Sequence, residues 1–351
     1  MLSLAEPVGT MKARHLLLLG LSLILGPGCC HLPYFSHSAR REQLSPSRAA
    51  EFTCPTLKDF VCQEKQVETN RLYWVKRIEL TGLSPCPGAD RTNRNLVFDY
   101  FLPRAPGKHP ILLILPMLGG SYPLEKYFGS YFAKRGFASI IVHRQKIAKD
   151  SNLEVLDSLF RESVLDNKQA IDWVETRPEL DAGRIGVFGI SMGAIKGALL
   201  TPLEPRVRAA TLGLVGGDLP YILTYTTEKG ISKRREAILR EQHLTLAELH
   251  EKLSQSISYD PMAFSSFVEP DKVLLILGAC DTVVPTKKGL EMRKKMGKPE
   301  TIVVPTGHYT AILFLPYIQW HCYKFFQRKL NGPAQQELTR RAESDTSLGN
   351  D

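Results

Sequence analysis

Three side chains far apart in this chain have the types that acyl transfer requires. The first is a hydroxyl, Ser191, in Gly189-Ile190-Ser191-Met192-Gly193. A short apolar run precedes this pentapeptide and a stretch rich in small residues follows it. A G-x-S-x-G turn between a strand and a helix is a nucleophile elbow, which holds the serine in a cramped backbone conformation at the strand's end. Gly189 and Gly193 lack the Cβ atoms that would clash there. Ala194, Gly197 and Ala198 let the following helix sit close to its sheet, with N–H groups and the positive dipole end at the site. The Met192 N–H is then one oxyanion donor. A bare pentapeptide of this kind also occurs in ordinary Gly-rich turns; the flanking strand and helix patterns select the elbow.

Serine is a weak nucleophile at neutral pH and needs a base. In folds with this elbow the partners follow in the order Ser, acid, His. Two histidines lie late enough in the chain, His308 and His321. His308, in Pro305-Thr306-Gly307-His308-Tyr309, falls in a loop between a short strand and a helix. His321 falls mid-helix beside Trp320 and reads as a packed or surface residue. The acid is placed at Asp281, just past the buried-strand pattern that ends Leu277-Gly278-Ala279-Cys280, with Asp218 as the alternative. Asp281 would hold the imidazole in the required tautomer and stabilise the imidazolium. The second oxyanion donor is expected from the loop Pro116-Met117-Leu118-Gly119-Gly120, at the Leu118 N–H, since Pro116 has none.

The elements that position these residues follow from periodicity. Residues 71–80 and 95–102 alternate apolar and polar side chains and read as strands. Residues 111–115, 138–142, 184–188, 207–215, 273–277 and 301–304 are short apolar runs, as in a parallel sheet buried on both faces. Helices are expected between them at 124–135, 156–176, 192–200, 287–296 and 311–329. Residues 216–268 interrupt this alternation with two helices, 231–240 and 245–254, the second opened by a Thr245–Glu248 capping box. That length exceeds a plain crossover and reads as a lid inserted over the sheet's C-terminal edge. The fold class is α/β, a doubly wound, mostly parallel sheet with a helical lid insertion. The catalytic domain is set at 67–330, preceded by a tether and irregular region over 31–66 and followed by a disordered tail over 331–351.

The first 30 residues read as a targeting segment. Lys12 and Arg14 precede an apolar run at 16–25, about the length of a signal-peptide core. Gly28 followed by Cys29 and Cys30 resembles a bacterial lipoprotein signal, with Cys29 the lipidated residue; plain secretion and a short membrane-tethering helix are the alternatives. The expected location is therefore exported, either anchored to a membrane through the lipid or secreted. No apolar run reaches membrane-spanning length. Seven cysteines permit one or two disulfides in an oxidising compartment, with the pairing open. The net charge of +9 is read mainly as a solvated helix surface and secondly as attraction to an anionic membrane. Nucleic acid is not expected as a partner, because no recognition motif accompanies the charge. Neither a cofactor nor a metal is expected; no CxxC pair suggests a zinc site.

The run from Ala170-Ile171-Asp172-Trp173 through Arg184-Ile185-Gly186-Val187-Phe188 to the elbow resembles the dienelactone hydrolase, acetyl xylan esterase and prolyl oligopeptidase branch of the α/β-hydrolase superfamily. Asp281-Thr282-Val283-Val284-Pro285 and Gly307-His308 resemble its acid and histidine loops. The resemblance covers residues 100–330 and implies the fold, a Ser191–His308–Asp281 triad and hydrolysis of a small-molecule ester. Many relatives carry His-Gly where this chain has Pro116-Met117. A peptidase or amidase of the same fold, and a non-catalytic tethered binding protein, are the rival expectations.

Overall fold

The computed structural model describes residues 30–32, 42–56, 60–83, 86, 95–117, 122–143, 153 and 155–331. Cys29, Leu118 and the tail from 332 onward lie outside these residues. In chain order the elements are β1 (Cys30–Leu32), α1 (Pro46–Ala50), β2 (Val61–Thr69), β3 (Tyr73–Thr81), β4 (Leu96–Pro103), β5 (His109–Leu115), α2 (Pro123–Ala133), β6 (Ala138–Val142), α3 (Val155–Glu175), β7 (Leu180–Ile190) and α4 (Met192–Leu203). There follow β8 (Val207–Gly213), α5 (Leu219–Tyr225), α6 (Lys229–Glu241), α7 (Leu246–Ser256), α8 (Pro261–Phe264), β9 (Val273–Gly278), α9 (Thr286–Lys295), β10 (Glu300–Val304) and α10 (Leu315–Leu330).

The strands form one sheet in the order β1-β10-β9-β8-β7-β5-β6-β4-β3-β2. From β6 to β10 across that order the neighbours are parallel. The strands β2, β3 and β4 extend one side antiparallel, and β1 caps the other side antiparallel to β10. The continuous apolar runs became the strands buried along their whole length, β5, β6 and β9. Helices cover both faces, so alternate residues of one strand enter two cores. Ile185 and Val187 of β7 pack with Trp173 and Leu199 on one face, while Phe188 packs with Phe128, Phe132 and Phe326 on the other. This is the doubly wound α/β architecture expected, with α5 to α8 inserted between β8 and β9.

Some elements differ from expectation. The stretch 31–66, read as a tether and irregular lead-in, contains α1 and most of β1 and β2. β2 is an edge strand with Glu64, Lys65 and Glu68 largely facing solvent, so it carries no apolar alternation to read. The strand expected at 184–188 is eleven residues long, because its first half pairs at the sheet's rim, where polar residues are tolerated. The helix expected at 311–329 begins as a 3-10 turn over Thr310–Phe314, and α10 starts only where Pro316 can occupy the first turn. The capping box is present: Glu248 N–H donates to Thr245 Oγ1 at 3.2 Å and Thr245 N–H to the Glu248 carboxylate at 2.8 Å. Cys54 and Cys86 form a disulfide, while Cys30, Cys62, Cys280 and Cys322 are free thiols.

Candidate active site

The elbow forms where β7 meets α4. Ser191 has φ +55° and ψ −125°, and its N–H donates to the Gly213 carbonyl at 2.8 Å, which ties the turn to β8. A Cβ on Gly193 would stand 2.1 Å from the Leu115 carbonyl oxygen, and one on Gly189 2.4 Å from the Gly193 carbonyl group. Both glycines are therefore required by close backbone approach. A Cβ on Gly197 would stand 2.7 Å from a Leu212 methyl, so α4 lies tight on the sheet as its small residues suggested.

The structure brings Ser191, His308 and Asp281 together. His308 Nε2 lies 2.9 Å from Ser191 Oγ, and His308 Nδ1 lies 2.7 Å from Asp281 Oδ2. With the carboxylate accepting at Nδ1, the proton sits on that nitrogen and Nε2 is left to accept from the serine hydroxyl. The other oxygen of Asp281 accepts the N–H groups of Val283 and Val284, each at 2.9 Å. Asp281 is 5% exposed, so its charge acts in a partly water-free setting. Both partners sit on loops leaving the C-terminal ends of β9 and β10, where a parallel sheet delivers its site residues.

The alternatives are engaged elsewhere. Asp218 accepts the Tyr221 N–H as the N-cap of α5 and pairs with Lys288 Nζ at 2.7 Å. His321 lies on α10, where burial first and the neighbouring His31 second push its pKa down to about 4. Of the two proposed oxyanion donors, Met192 opens α4 directly after the serine. Leu118 lies outside the described residues.

Two charged residues that sequence reasoning missed hold the strand end before that loop. Met117 N–H donates to Glu125 Oε1 at 2.8 Å, and Lys196 Nζ donates to the Pro116 carbonyl at 3.3 Å. Both side chains are buried, Glu125 on α2 and Lys196 on α4. A lone charged residue in a helix pattern reads as a surface residue; the one available signal was the apolar company of Lys196, between Ile195 and Gly197.

Ser191 and His308 line a cavity of about 330 Å³. Its walls are largely apolar and come from both faces of the sheet. Ile195, Leu219, Ile222 and Leu223 stand on one side, and Phe188, Ile276 and Ile318 on the other. Cys322 also lines it, but burial pushes its thiol up to about 12, so it stays protonated and is no rival nucleophile.

The family model described as X-Pro dipeptidyl-peptidase (S15 family) matches residues 31–259, a span that includes Ser191 and stops before Asp281 and His308. The fold is shared with acetyl xylan esterase 1 from Thermoanaerobacterium sp. JW/SL YS485, at 20% identity and TM-score 0.57, covering 78% of this chain and 91% of that one. It is also shared with an acetyl xylan esterase from Paenibacillus sp. R4, at 16% identity and TM-score 0.61, covering 82% and 100%. The α/β hydrolase GrgF from Penicillium sp. sh18 is similar at 15% identity and TM-score 0.51, covering 72% and 99%. No curated protein sequence matches. The family model spans well over half of the chain: this chain belongs to the X-Pro dipeptidyl-peptidase (S15) family, within the α/β hydrolases.

Proposed function

We propose that this chain is a serine carboxylic ester hydrolase with Ser191 as nucleophile, His308 as base and Asp281 as the group that orients His308. The observation that carries this is the hydrogen-bonded line Ser191–His308–Asp281 on the wall of an apolar cavity. His308 Nε2 takes the serine proton as Oγ attacks the ester carbonyl carbon. The oxyanion faces the N-terminus of α4, at Met192 N–H, and the loop after β5, where Leu118 is the assigned second donor. The proton passes from His308 to the departing alcohol. Water, activated by the same base, then releases the acid from Ser191.

Esters are favoured over peptides by the cavity. Release of an X-Pro dipeptide requires recognition of a free N-terminal ammonium. Among the described lining residues the carboxylate is Glu228, and its Oε2 already accepts the Ile231 N–H at 2.6 Å as the N-cap of α6. The peptidase reading remains the second one, on the strength of the family description. Turnover of p-nitrophenyl butyrate against Gly-Pro-p-nitroanilide separates the two, with the ester expected to lead by about a hundredfold or more in kcat/KM. A fluorophosphonate probe is expected to label Ser191. Ser191→Ala should abolish labelling and cost on the order of 10⁴-fold in kcat. Full esterase activity in Ser191→Ala overturns the reading, and a folded protein that fails to label points to a binding protein.

The same reading treats residues 216–268 as the lid, since Leu219, Ile222, Thr226 and Ile231 of that stretch line the cavity. It also includes export. The apolar run at 16–25 and the Cys54–Cys86 disulfide support it. Lipid on Cys29 is the finer part of that proposal, and the intact mass of the mature N-terminus tests it.

A further inference from the structure

The mouth of the cavity carries an apolar ridge. Tyr309 and Ile312, each 62% exposed, line the cavity and face solvent at once. Leu313 is 75% exposed and Trp320 52%. In the 3-10 turn residues three apart share a face, as Tyr309 and Ile312 do, and Leu313 beside them leads into α10, where the exposed Pro316 and Trp320 lie four apart on one face. Tyr127 of α2 donates to Gln319 at 3.1 Å and widens the ridge toward the next helix. Lys324 and Arg328 continue the same stripe at spacing four, Arg328 paired with Glu300. Large apolar side chains grouped beside a cavity mouth mark an interaction surface, and Trp and Tyr beside basic residues suit a lipid headgroup boundary.

The course of the chain points to the partner. β1 is antiparallel to β10, with Leu32 opposite Thr301 and Cys30 opposite Val303. Followed backwards from Leu32, the chain therefore runs toward the C-terminal edge of the sheet, the edge that bears Ser191 and His308. His31 bonds the Tyr317 hydroxyl at 2.6 Å and its ring lies 5.0 Å from that of His321, so β1 is seated on the helix that carries the ridge. The residues before Cys30 include the apolar run at 16–25 with Lys12 and Arg14 ahead of it. Cys30 stands at this edge, so a lipid on Cys29, the residue before it in the chain, would bring the edge toward a bilayer.

We propose that the ridge of Tyr309, Ile312, Leu313 and Trp320 is a docking surface for a lipid bilayer, which lays the cavity mouth against the membrane. Apolar substrate then enters from the lipid phase. The docking stands on its own; only the fate of the substrate rests on the hydrolytic reading.

The test uses the full chain with vesicles of phosphatidylcholine and phosphatidylglycerol whose acyl chains are brominated. Trp173 is buried, whereas Trp320 is exposed on the ridge. Bromine is expected to quench a component of the emission that Trp320→Phe removes. Leu313→Asp is expected to weaken vesicle partitioning by about tenfold or more. The same variant should leave hydrolysis of a dispersed short-chain ester unchanged, which also shows that it folds. Three results overturn the proposal: a chain that stays off the vesicles, a bound chain whose Trp320 is unquenched, or a lipid-free dimer that Leu313→Asp dissociates. The second would leave the N-terminal segment as the tether, and the third a second copy as the occupant. Each leaves the ester hydrolase reading intact.

Discussion

At Gly193 the margin is a single atom. A methyl there would lie 2.1 Å from the Leu115 carbonyl oxygen, and neither backbone can yield without moving the elbow from β5. Gly193→Ala is expected to cost about 3 kcal/mol or more of stability and to abolish fluorophosphonate labelling of Ser191, read by urea unfolding and by the probe. Glu125 acts more indirectly. It holds Met117 N–H from a buried position, so Glu125→Ala leaves an unpaired donor at the start of the loop after β5, the loop proposed to supply the second oxyanion donor. The expected cost is about 1–3 kcal/mol, with a fall in kcat of about tenfold or more while KM changes little. A fall in stability with unchanged kcat would reduce Glu125 to a structural role.

Elements fail differently from residues, because their ends are local. The box that opens α7 satisfies two backbone N–H donors within four residues of sequence. Thr245→Ala should therefore cost about 1 kcal/mol in unfolding experiments and leave esterase kcat untouched. The seat of β1 on α10 is expected to weaken in acid. His321 packs against His31, Tyr317 and Trp320, and its pKa is lowered to about 4 from an ordinary 6.5. The unfolded chain then binds the proton more readily than the folded one. Stability is full above pH 6.5 and declines as pH falls toward about 4. Allowing for solvent screening of a half-buried group, the decline should be about 1 kcal/mol. His321→Phe should flatten it in a series of urea midpoints from pH 7 to 4.

For the whole molecule, the Cys54–Cys86 bridge ties the chain before β2 to the loop after β3, across 32 positions, and Cys86 is buried in the larger core. Removing it by Cys86→Ser should cost about 3–4 kcal/mol, seen as a lower urea midpoint. The same drop should follow reduction of the native chain with dithiothreitol. Because β2 and β3 lie on the far side of the sheet from β9 and β10, the loss should leave kcat for a soluble ester close to its native value.

How much of this could be read from the chain depends on whether the information was local. The apolar runs at 111–115 and 273–277 read as strands buried on both faces because they are too short for a buried helix and are rich in branched aliphatic residues. The pentapeptide around Ser191 and the Thr245–Glu248 box are also contained within short windows of sequence, and the order of acid and histidine is read along the chain without any contact. β2 was not legible, because an edge strand with a polar exterior has the composition of a linker until a partner strand claims its hydrogen bonds. Sequence left Asp218 and Asp281 both open, and only the tertiary structure shows that Asp281 reaches the imidazole at 2.7 Å while Asp218 pairs with Lys288. Burial of Glu125 and Lys196, the pairing of Cys54 with Cys86, and the lining of the cavity from both sheet faces were likewise decided in three dimensions. Sequence determined which residues could react; only the packing of distant segments decided which of them meet, because contact, dielectric and charge pairing belong to neighbours in space.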